Sequence, residues 1–88
     1  MNLEDIKSGK IYKHSYRSYL YLYDRKEYLK PPANVIEKIY PEIPFFVVSY
    51  KSSMLSILFK ILTEQGKLGF LSLDNYFVKD NIFPYHSL

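Results

Sequence analysis

The stretch "GKLGFLSLDNYFV", Gly66–Val78, decides how this chain is read. It opens on a glycine that ends the turn Glu64–Gln65–Gly66, where Gly66 is free to take the positive φ that a hairpin turn demands. Lys67–Leu73 then reads as a strand pairing back on the one before it. Gly69, inside that strand, marks a close approach of backbone at a barrel corner. Phe70 or Leu71 points inward, and "LDNY" (Leu73–Tyr76) turns the chain onto a last strand.

Working outward, most of the chain is strand-like. "LSILFKILT" (Leu55–Thr63) puts Leu55, Ile57, Phe59 and Ile61 on one face and Ser56, Leu58, Lys60 and Leu62 on the other. Phe45–Tyr50 is rich in β-branched and aromatic residues, and "KSSM" (Lys51–Met54) reads as the turn between these two strands. "SYLYLYD" (Ser18–Asp24) alternates strictly, with Tyr19, Tyr21 and Tyr23 opposite Leu20 and Leu22. "GKIYKH" (Gly9–His14) follows a turn at Ser8–Gly9.

One segment breaks the β pattern. "KPPANVIEKIYPEIP" (Lys30–Pro44) begins and ends with prolines, and Asn34 with Glu37 has the spacing of a capping box. Val35 with Ile39, and Ile36 with Tyr40, share faces at i,i+4. These features predict a short helix over about residues 34–40, stopped by Pro41 and inserted between strands. The tail "NIFPYHSL" (Asn81–Leu88) is apolar enough to pack back on the barrel, the alternative being an exposed binding motif.

Five short strands with a late, glycine-bearing hairpin suggest a small barrel. The stretch Gly66–Val78 resembles the closing segment of Src-homology-3-like (SH3-like) barrels. That segment has a distal hairpin, a Gly followed by two apolar residues, a short 3₁₀ turn, and a last strand opening on Tyr-Val or similar. Gly69, Phe70, Leu71, Asn75, Tyr76 and Val78 fill those places. The likeness is close from Phe59 to Lys79 and loose elsewhere. "YLYD" (Tyr21–Asp24) is also similar to the Leu-Tyr-Asp signature of peptide-binding members, which would make Lys30–Pro44 a long first loop and Gly9–His14 an extra strand. In the other register, which we prefer, Gly9–His14 is itself the first strand. The resemblance implies a mainly β domain over residues 1–88, a five-stranded SH3-like barrel with one inserted helix. Proline-rich-peptide binders of this fold use a Trp and an acidic first loop. This chain has no Trp and a neutral to basic loop, so what carries over is the barrel and not a binding activity.

Composition narrows the function classes. A chain of 88 residues buries only roughly 60–65% of its unfolded surface, so most functional surface lies outside the core. With 48% apolar residues the chain is no disordered segment. The absence of cysteine excludes disulfides and thiolate metal sites and fits a reducing compartment. The acids of the N-terminus do not suit a secretory signal, and the most apolar run (Leu55–Leu62) carries Lys60 and is short for a span, so a cytoplasmic protein is expected. Lys, Asn, Ile, Tyr and Phe supply 38 of 88 residues, while Ala appears once. This bias follows AT-rich codons, as in many bacteriophages or low-GC bacteria, and fits a small phage-type accessory protein.

Catalysis is not expected. There is no G-x-S-x-G, HExxH or phosphate loop, and His14 and His86 are too far apart in sequence to form a metal pattern; each reads as a surface or strand-end residue. No cofactor or metal is anticipated. Two surfaces stand out instead. The row Tyr19, Tyr21, Tyr23, with Val35, Ile36, Ile39 and Tyr40 of the insertion, is a candidate protein-binding surface, since tyrosine anchors many interfaces. The same tyrosines with Lys7, Lys10, Lys13 and Arg17, in a stretch free of carboxylates from residue 6 to 23, form a candidate nucleic-acid surface in which rings stack bases and cations hold phosphates. Exposed tyrosines also serve simply as cross-strand pairs that stabilise a thin sheet.

Overall fold

The computed structural model describes residues 1–25 and 34–86. After a 3₁₀ turn at Leu3–Asp5, the strands are β1 (Lys10–His14), β2 (Leu20–Tyr23), β3 (Val35–Ile39), β4 (Phe45–Ser52), β5 (Ser56–Thr63) and β6 (Leu68–Asp74). A helix, α1 (Asn75–Asn81), and a last strand, β7 (Ile82–Pro84), complete the chain. All seven strands join one sheet in the order β3-β2-β6-β5-β4-β1-β7, with every pairing antiparallel. The sheet curls into a half-barrel.

The alternation in the sequence sets which side faces inward. Ile57, Phe59 and Ile61 of β5, Leu20 and Leu22 of β2, Val47 of β4 and Leu71 of β6 are buried on the concave side. Ile6, Val78 and Ile82 close the end of this core. Gly66 has φ 84°, as its turn requires. At Gly69 the backbones of β2 and β6 approach so closely that a Cβ would lie 2.7 Å from the Tyr23 carbonyl oxygen and 2.7 Å from Leu22 Cγ.

Several expectations are corrected. The sheet has seven strands, not five. The segment expected to be helical over residues 34–40 is the strand β3, paired with β2 through Leu20↔Ile39, Tyr21↔Lys38 and Leu22↔Glu37. The capping box is not made: Asn34 bonds Asp24 through its backbone N–H (3.1 Å) and its amide (3.4 Å), and Glu37 accepts from the Thr63 hydroxyl at 2.9 Å. The pairs four apart do not share a face here: a register shift against β2 leaves Val35 exposed and Ile39 buried, and the β-branched residues with the partner strand favour the strand. Of the insertion, Lys30–Ala33 lie outside the described residues.

The third correction is the closing segment. Instead of a turn into a strand at Tyr76–Val78, Asp74 caps α1 by accepting from the Phe77 N–H at 2.7 Å. The final strand is β7, so the tail does pack back on the sheet: Ile82 is buried and Pro84 pairs with Tyr12. The turn between β4 and β5 also lies later than "KSSM", at Ser53–Leu55.

His14 is a strand-end residue but not a surface one. The curl of the sheet brings it to the end of β3, where its Nε2–H donates to the Ile39 carbonyl at 2.7 Å. Its Nδ1 accepts from the Tyr16 N–H at 3.2 Å, and its own carbonyl accepts from the Glu42 N–H at 2.9 Å. These partners specify the neutral Nε2–H tautomer. Burial pushes its pKa below the ordinary 6.5, against the smaller opposing pulls of the Ile39 bond and the Glu42 charge.

Candidate functional site

Because Leu20 and Leu22 face the core, Tyr19, Tyr21 and Tyr23 stand on the convex side of β2. They touch one another in sequence. The Tyr19 and Tyr21 rings meet edge to face with centroids 5.2 Å apart, and Tyr21 and Tyr23 follow at 6.4 Å. From the end of β3, Tyr40 adds a fourth ring, 5.7 Å from Tyr19. Lys38, opposite Tyr21 in the register, places its ammonium 4.6 Å from the centre of the Tyr19 ring. That is within the range of a cation–π contact. The Tyr19 and Tyr21 hydroxyls lie 3.2 Å apart, and this hydrogen bond, together with the neighbouring phenols, pushes the Tyr21 pKa above its ordinary value of 10.0.

The insertion residues separate into two groups. Val35 and Tyr40 are exposed beside the tyrosines, whereas Ile36 is half-buried against the position of Gly69 and Ile39 is wholly in the core. Ile39 therefore supports the surface from beneath and cannot touch a partner.

The four basic residues do not form one cluster. β1 is separated from β2 in the sheet by β6, β5 and β4. Lys7 and Lys10 line a cleft of about 570 Å³ with Asp5, Tyr12, Tyr85 and His86. Lys13 is held in an ion pair with Glu42 at 2.6 Å. Arg17 is exposed in the connection between β1 and β2.

Other cations do share the convex face. The register places Tyr23 opposite Phe70, Phe70 opposite Lys60, and Lys60 opposite Ser49, a row running across β2, β6, β5 and β4. Beside it, Lys51, Leu58, Lys60 and Phe70 line a groove of about 390 Å³. Nothing in linear order links Tyr23, Lys60 and Phe70; only strand pairing does. A second row, Ile11–Phe46–Leu62–Leu68, crosses β1, β4, β5 and β6 in register.

Among the described residues no three potential metal ligands come together, and no helix is long and apolar enough to cross a membrane. No protein-family model, curated protein or solved structure matches the chain.

Proposed function

We propose that the protein is a non-enzymatic interaction module that binds a protein partner through the convex face of β2 and β3. The contiguous cluster Tyr19, Tyr21, Tyr23 and Tyr40, backed by Lys38, carries this reading. Tyrosines offer large contact areas for few rotatable bonds, and rings that already pack together lose little further freedom on binding. The composition suits a phage accessory protein, whose partner would be a host protein and whose effect would be to modulate it. A tagged pull-down from bacterial lysate, with nuclease present, tests the reading. One protein held at near-stoichiometric yield by the native chain and lost from a Tyr21→Ala, Tyr40→Ala variant supports it. Equal recovery on both removes the tyrosine face.

The Tyr23–Phe70–Lys60 row favours a second reading, single-stranded nucleic acid lying across the sheet. Bases stacked on exposed rings contribute about 1–3 kcal/mol each, and lysines neutralise the phosphates. Binding of an oligothymidine would then fall linearly in log salt, by about 0.7 per phosphate neutralised, and Lys60→Glu would weaken it. A protein interface anchored on tyrosine is far less sensitive to salt.

A further inference from the structure

The tip of the β4–β5 hairpin shows its two largest side chains to solvent. Met54 is 86% and Leu55 79% exposed. Tyr76, on the adjoining first turn of α1, is 78% exposed, while among the described residues the next large apolar side chain, Tyr40, reaches only 53%. Hairpin turns favour Gly, Asn, Asp and Ser, so a Met-Leu pair at the tip does not serve the turn.

The tip is also rigid. The Ser53 N–H donates to the Ser56 carbonyl at 2.8 Å, and the Ser53 hydroxyl donates to the same carbonyl at 3.1 Å while accepting from the Ser56 N–H at 3.3 Å. From α1, the Asn75 amide donates to the Met54 carbonyl and the Asn75 N–H to the Leu55 carbonyl, each at 3.0 Å. Asn75 Oδ1 is left buried without a hydrogen bond in this arrangement. Holding the backbone this firmly behind exposed apolar groups lowers the ordering cost of docking them.

Next to the knob lies a hollow. A cleft of about 520 Å³ is lined by Leu3, Met54, Leu55, Asp74, Tyr76 and Lys79. Knob, hollow, an exposed acid and an exposed base thus occupy one patch. That combination is what a twofold interface needs, because each feature of the patch must meet its complement on an identical copy. We propose that the occupant is a second copy of this chain. Met54 and Leu55 of one copy enter the cleft of the other, and Asp74 and Lys79 pair reciprocally at the rim. With Asp74 beside Lys79 the patch carries no excess of cations and is a poor match for an anionic lipid surface.

The patch is small, so the association belongs to the weak class of interfaces. Sedimentation equilibrium on the full chain, from about 10 μM to 1 mM, reads it in the window where such interfaces form. A reversible monomer–dimer equilibrium is expected. A Met54→Ser, Leu55→Ser variant should weaken it at least about tenfold, the loss of one or two central apolar contacts. Both positions are exposed, so the fold tolerates the change. Asp74→Asn keeps the helix cap but removes the rim charge, and should weaken the dimer and reduce its salt dependence. Tyr21→Ala should leave association unchanged, which separates this interface from the tyrosine surface. A chain that stays monomeric at the highest concentration overturns the proposal. So does a dimer indifferent to the tip variant, or one lost with Tyr21→Ala.

Discussion

Gly69 sits where β2 lies against β6, and the atoms a new methyl group would meet include backbone. The Tyr23 carbonyl cannot rotate aside as a side chain might be repacked, so Gly69→Ala forces the two strands apart. We expect a loss of about 1–3 kcal/mol, the usual cost of overpacking, measured by urea unfolding. His14 acts through its proton. Its pKa is lowered in the fold, so the unfolded chain takes up a proton more readily and folding is favoured by higher pH. The contribution is complete above 6.5, the unfolded value, and is lost as pH falls from there toward the depressed folded pKa. Melting temperature should therefore drop between about pH 7 and pH 5, the range in which histidine titrates. His14→Leu should flatten that part of the profile. It should also cost about 1–3 kcal/mol at neutral pH, because the buried Ile39 carbonyl loses its donor.

At the scale of elements, β3 and α1 show local patterns being overruled and supplied. The residues of β3 satisfy a helix pattern, but a helix of two turns has a costly nucleus and little to bury alone. As a strand the same residues bury Ile39 beside Leu20 and bond along β2. In α1 the decisive group is Asp74, whose carboxylate satisfies an N–H that the helix leaves open. Asp74→Ala should destabilise the protein by about 1 kcal/mol, whereas Asp74→Asn, an equally good cap, should be nearly neutral. Thermal melts of the two variants check this.

For the molecule as a whole, the sheet order predicts where stability is concentrated. β5 lies between β4 and β6 over seven paired positions on each side, while β3 and β7 stand at the two edges. Hydrogen exchange should be slowest for amides of β5 and fastest for those of β3 and β7, since edges open without disturbing the core. The molecule carries two candidate surfaces. The tyrosine cluster rests on β2 and β3, and the apolar tip projects from the β4–β5 turn beside α1. Tyr21→Ala should abolish recovery of the proposed partner while costing only about 1 kcal/mol of stability, because what the fold loses is the ring's packing on Tyr19 and Tyr23.

Much of the β architecture was legible in the sequence because it rests on period-two alternation. Leu20 and Leu22 in, Tyr19, Tyr21 and Tyr23 out, and Ile57, Phe59 and Ile61 in all follow from side chains alternating across a strand. The turn at Gly66 and the tight approach at Gly69 were legible too, since glycine alone suits both. The strand β3 was not, because its apolar residues fall at helical spacing and a register shift against β2 puts Val35 outside and Ile39 inside, so no plain period-two alternation marks it. Nor was α1, whose single cap and short apolar run do not stand out from a turn. Linear order also scattered the surfaces. Tyr40 and Lys38 reach Tyr19, and Phe70 stands between Tyr23 and Lys60, through long-range pairing, while Lys7 and Lys10 line a separate cleft and Lys13 is held by Glu42. Local chemistry thus determined which face each residue of a strand would take; long-range pairing decided which faces would meet.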